Sequence, residues 1–346
     1  MAGAGLLAGL LAVLVVYVVD PTGLIGARWP RAWSACEPGI RVEDRRAVPY
    51  LMAMHKPETV ILGTSKVVIG ISEGDAVEAF GPSVVNLGVF GASFDEVAAL
   101  LEGALAADGV ERALVGLDFG MFYGEFLSDA ISPAQVREAR DLAAAALRPG
   151  LFDPVTALAA LRTVLSPEGC AAPLRSRRGF LPPDTERLEE TYALDRARFE
   201  RAALSTDRTM RVRRTDDRGV EQDFANRMDR LSALVRAAGA RGMHLTLIVG
   251  PMHPRYLESL RRAGLADRYA HWREELRRRY AGAEGPGPVL VDLTDHPSFL
   301  GDAGQCLDSG AAGCGFLDLL HYRPAVGKAI LDIALRAGRA KPAGPQ

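Results

Sequence analysis

The stretch Thr59-Val60-Ile61-Leu62-Gly63-Thr64-Ser65-Lys66 decides the fold. Its first four residues form a short β-rich run without polar alternation, the pattern of a strand buried on both faces. Gly63-Thr64-Ser65-Lys66 follows at once, which places Ser65 on the turn between a strand and a helix. A serine held there is exposed, and the N-terminus of the next helix favours negative charge developing nearby.

Working outward, the same unit recurs. Val84-Val85-Asn86-Leu87 predicts a second strand, followed by a helix over about 94–107, and Ala113-Leu114-Val115-Gly116-Leu117 a third strand. His244 to Val249 and Pro288 to Leu293 predict two more. A helix is expected over about 255–280, and a last one over 324–336 with Pro324 at a permissible first-turn position. Strands alternating with helices imply parallel pairing and a sheet covered on both faces. The expected fold is therefore α/β, a three-layer flavodoxin-like parallel sheet of about five strands. In such sheets reactive groups collect at the carboxyl ends of the strands.

Between about 126 and 240 the β signal fades. Helices are expected over about 133–147, 153–164, 187–204 and 219–239, with a Pro-, Arg- and Gly-rich loop around 173–183. This reads as a helical insertion or lid within an α/β domain spanning 58–340; plain scaffold is the alternative. Residues 21–57 read as a linker and lead-in.

Ala2 to Val18 carries no charge and Val19 extends the run to Asp20. That is close to the roughly 20 apolar residues a bilayer-spanning helix needs, so 1–20 is expected to be a transmembrane anchor. A cleaved signal peptide is disfavoured because no Ala-x-Ala site follows. Arg28, Arg31, Arg41, Arg45 and Arg46 follow the run and no Lys or Arg precedes it, which by the positive-inside rule points the domain to the cytoplasm.

Composition narrows the function. The chain has 346 residues, 48% hydrophobic and 24% charged, as an ordinary folded protein does. A net charge of -2 offers no basic stripe, so no nucleic-acid partner is expected. Cys36, Cys170, Cys306 and Cys314 lie at no metal-ligand spacing. Cys306 and Cys314 could close a loop as a disulfide, three full pairings are open, and four unpaired thiols remain the alternative. No His/Asp/Glu set has metal spacing, the phosphate-loop and dinucleotide fingerprints are absent, and no cofactor is expected.

Two further segments carry chemistry. Asn86-Leu87-Gly88-Val89-Phe90-Gly91 places glycines after the second strand, where backbone can approach a ligand and offer N–H groups. Asp318-Leu319-Leu320-His321 precedes the last helix. There an aspartate can orient an imidazole whose other nitrogen faces a serine hydroxyl. His253, after the fourth strand, is a candidate substrate-site residue or a turn cap, and His296 is a weaker candidate. His55, His244 and His271 read as structural.

In this order and at these positions the three blocks resemble the SGNH/GDSL hydrolase superfamily, over roughly 58–125 and 240–335. The resemblance implies Ser65 as nucleophile, Asp318 and His321 as its partners, and the N–H groups of Ser65 and Gly91 as oxyanion donors. It also implies an asparagine donor after the third strand; here that region reads Gly116-Leu117-Asp118-Phe119-Gly120-Met121. Asp118 would instead hold the Ser65 loop or bind a substrate hydroxyl or ammonium. The lead-in Lys56 to Ser65 is similar to anchored bacterial envelope proteins of the same superfamily. This implies a serine esterase or O-acyltransferase acting on acyl esters, chiefly acetyl, of an envelope or extracellular polysaccharide. The expected partners are that acylated carbohydrate and the membrane, with the domain on the extracytoplasmic side against the arginine signal. The missing asparagine motivates the alternative, an inactive glycan-binding or polysaccharide-assembly module.

Overall fold

A computed structural model describes residues 44–123, 131–144, 174–181, 217–281, 288–296 and 315–339, with 9–11, 13–16, 20, 40, 201 and 299. Five strands, β1 (Thr59–Leu62), β2 (Val84–Asn86), β3 (Arg112–Leu117), β4 (His244–Val249) and β5 (Val289–Asp292), form one sheet in the order β2-β1-β3-β4-β5. Every pairing is parallel; Thr59 lies opposite both Val84 and Arg112, and Leu117 opposite Val249. This is the flavodoxin-like order, in which the chain reverses direction across the sheet between β1 and β3.

Alternate residues of each strand feed two separate cores, which gives the three layers. Val60, Leu62, Val85, Ala113, Val115, Leu245 and Leu247 face one side. There they meet helices α1 (Asp44–His55), α4 (Phe94–Ala106), α7 (Asp217–Arg241) and α9 (Ala266–Tyr280). Ile61, Val84, Leu114, Ile248 and Val291 face the other, against α2 (Ser65–Gly70), α3 (Glu73–Phe80) and α10 (Pro324–Arg339). The short α5 (Phe119–Tyr123), α6 (Pro133–Ala144) and α8 (Pro254–Arg262) complete the first layer.

Several elements differ from the periodicity reading. Helix α1 lies inside the stretch read as linker, with Ala47, Val48 and Leu51 fully buried. Short apolar spacing and an internal Pro49 masked it. The helix expected over 255–280 is two, because the chain turns at Ala263-Gly264-Leu265, where Gly264 takes φ +70°. Helices α2 and α3 are too short for a periodic signal. Within 126–240, α7 is the crossover between β3 and β4: Phe224, Met228, Leu231 and Leu234 enter the main core. The helices expected over 153–164 and over most of 187–204, and all four cysteines, lie outside the described residues. So does most of the apolar run 2–19; among the described residues no helix is long and apolar enough to cross a membrane.

Candidate functional site

The three chain-distant segments meet at the carboxyl edge of the sheet. Ser65 opens α2 directly after β1, with Thr64 as N-cap, its hydroxyl accepting from the Lys66 N–H at 3.4 Å. Asp318 and His321 sit in a closed loop before α10. Leu317 N–H donates to the His321 carbonyl at 2.8 Å, and Arg323 N–H to that of Gly315 at 2.9 Å. Buried side chains pin this loop on both sides: Leu319 enters one core, Phe316 and Tyr322 the other.

That anchoring delivers the imidazole to the serine. His321 Nε2 is 2.7 Å from Ser65 Oγ, and His321 Nδ1 is 2.7 Å from Asp318 Oδ2. The other carboxylate oxygen, Asp318 Oδ1, accepts from the Leu320 and His321 N–H groups, each at 2.7 Å. Burial pushes the Asp318 carboxyl up, but the His321 ring and those two N–H groups outweigh it and hold the group below the usual carboxylate range. An anionic carboxylate on Nδ1 keeps the Nδ1–H tautomer, which leaves Nε2 as the acceptor facing the hydroxyl.

The second loop is built as firmly. Asn86, fully buried at the end of β2, donates from Nδ2 to the Val67 carbonyl and accepts the Gly88 N–H at Oδ1, both at 2.9 Å. It thereby ties the glycine loop to the helix that carries Ser65. The buried Arg175 donates to the carbonyl of Gly88 at 2.9 Å. Arg45 of α1 donates to the Gly91 carbonyl at 3.1 Å while pairing with the buried Glu96 at 2.9 Å. Gly91 takes φ +61°, a conformation a side chain would strain. Among the described residues neither the Ser65 nor the Gly91 N–H makes a hydrogen bond.

Asp118, just past β3, is engaged by the serine loop: it accepts the Thr64 hydroxyl at Oδ2 and pairs with Lys66 Nζ at 2.5 Å through Oδ1. His253 is 2% exposed and caps α8, its Nδ1 accepting the Arg255 N–H at 3.1 Å. Its ring stands edge-on to Phe316 at 5.4 Å. Burial, with a smaller push from Arg255, lowers its pKa to about 4 against the opposing pull of Asp318, so it is neutral at pH 7. His296 lies on the turn after β5 beside Phe299, at 5.2 Å. Among the described residues no group of three or more His, Cys, Asp or Glu is arranged to hold a metal ion.

Lys66, Asn86, Arg45, Glu96 and Tyr322 were not identified as site residues from sequence. For Glu96 a signal existed: Ser93-x-x-Glu96 is a capping box, and its reciprocal hydrogen bonds are present. The others act through contacts between distant segments. Compared with known proteins, the chain matches no family model and no curated sequence.

Proposed function

We propose that this chain is a serine esterase or O-acyltransferase of SGNH/GDSL type. The observation that carries the reading is the continuous Ser65–His321–Asp318 relay, with both side-chain links at 2.7 Å. Such an array suits acyl transfer: Ser65 Oγ adds to an ester carbonyl as His321 Nε2 takes its proton. The tetrahedral oxyanion is met by the Ser65 and Gly91 N–H groups, each worth about 3–4 kcal/mol in the transition state. Collapse breaks the ester C–O bond, and His321 returns the proton to the departing alcohol. Water or a sugar hydroxyl, deprotonated by His321, then attacks the acyl-serine and releases Ser65.

The substrate class rests on the likeness of the lead-in to envelope proteins, and it favours acetyl esters of an envelope polysaccharide. An N-terminal anchor with the domain on the extracytoplasmic side belongs to the same reading. The test is labelling by a fluorophosphonate probe together with turnover of an acetyl ester. Both are expected in the unmodified chain and absent from Ser65→Ala at unchanged melting temperature. Full activity in Ser65→Ala overturns the assignment. Saturable binding of an acetylated polysaccharide with no labelling would favour the inactive module.

A further inference from the structure

We infer that Asp118 and Lys66 form a positioning pair that aims the Ser65 hydroxyl at His321; the inference rests on Ser65 being the nucleophile. Ser65 is flanked by two residues whose side chains end on one carboxylate. Thr64 donates its hydroxyl to Asp118 Oδ2, and Lys66 places its ammonium 2.5 Å from Asp118 Oδ1. With positions 64 and 66 clamped to the residue just past β3, the backbone of residue 65 and the direction of its Cα–Cβ bond have little freedom left. The close approach of β3 to α2 makes the clamp reachable: a Cβ on Gly116 would lie 2.8 Å from Val67 Cγ1.

The pair is not explained by stability. Lys66 is 8% exposed and the Asp118 side chain 14%. At such burial the cost of removing two charges from water roughly cancels their attraction, and apolar replacements are often as stable. What the pair supplies that two apolar residues would not is a directional hold on both neighbours of Ser65. It reaches the opposing loop as well. Lys66 Nζ lies 3.6 Å from Met252 Sδ, next to His253. The phenol of Tyr322, beside His321, is pushed up by burial and by the Asp118 charge.

The experiment uses the full-length protein in detergent, with Asp118→Asn and the charge-balanced Asp118→Asn/Lys66→Met. Should the single variant fail to fold, the double variant carries the test, since it buries no uncompensated ammonium. We expect kcat and the rate of fluorophosphonate labelling to fall about 10- to 100-fold with KM within twofold, as for a reacting group displaced by about 1 Å. A crystal structure of the variant should show Ser65 Oγ out of hydrogen-bonding reach of His321. Oγ retained at the unmodified protein's 2.7 Å, or a double variant with restored stability and full kcat, overturns the inference. If the unmodified protein neither labels nor turns over esters, the proposed function fails, while the paired structures still decide the positioning.

Discussion

Ser65 and His321 stand 256 positions apart in the chain and 2.7 Å apart in space, joined by a hydrogen bond between Oγ and Nε2. Nothing local holds them together. Ser65 is set by the β1–α2 turn and His321 by a loop buried on both faces of the sheet, so perturbing either support should move the contact.

Asp318→Asn tests the orientation of the base. An amide preserves size and one acceptor for the Leu320 and His321 N–H groups, but it no longer selects the Nδ1–H tautomer. Esterase kcat is expected to fall about 10³- to 10⁴-fold, with a melting temperature within a few degrees of the unmodified protein. A loss under tenfold would show that the carboxylate does not orient the ring.

Gly70→Ala tests the support beneath His321. A Cβ there would lie 2.0 Å from Tyr322 Cε2, and Tyr322 is only 2% exposed. Overpacking of this kind costs about 1–3 kcal/mol, and the shifted Tyr322 should drag His321 and lower kcat. Gly74→Ala is the control: nothing lies within 4 Å of its Cβ, and Ala is the better helix former. Urea unfolding of the two variants distinguishes packing from helix propensity.

Arg45→Met tests the link from α1 to the glycine loop. It removes the donor to the Gly91 carbonyl and leaves Glu96, whose side chain is fully buried, without that partner. Stability should drop by roughly 1–3 kcal/mol. Adding Glu96→Gln should recover part of it, because glutamine still closes the capping box with Ser93 and carries no charge. A double variant less stable than Arg45→Met would contradict the account.

Stability should rise with pH between about 4 and 6.5. His253 is buried with its pKa lowered to about 4. Unfolding restores a value near 6.5. The unfolded chain therefore binds more protons across this window, so the stability His253 contributes is complete above about 6.5 and lost as pH falls through the folded value. His253→Asn keeps an N-cap acceptor and removes the titration. Its urea midpoint should depend less on pH between 4 and 6.5 than that of the unmodified chain; an unchanged slope refutes the assignment to His253.

The strands and their parallel pairing were legible because a strand covered on both faces is mostly apolar and lacks polar alternation. Thr59-Val60-Ile61-Leu62 and His244 to Val249 show that composition locally. Ser65, Asp318 and His321 stood out only together, through the resemblance of their three blocks to a known superfamily; a serine after a strand or an Asp-x-x-His before a helix is by itself also met in ordinary turns and caps. Helix α1 did not stand out, since Pro49 and a run of mixed spacing hide an element whose burial is supplied by α4 and α6.

The amino-acid sequence by itself determined the alternation of strands and helices and which side chains were chemically able to react. Each of those depends on residues a few positions apart. The tertiary structure alone decided that the Asp118 carboxylate holds Thr64 and Lys66, that Arg45 grips the Gly91 carbonyl, and that Gly70 makes room for Tyr322. Such contacts join segments dozens to hundreds of residues apart. Hydrogen bonds and close packing depend on distances of a few ångströms, which are set only once both cores have closed on the sheet.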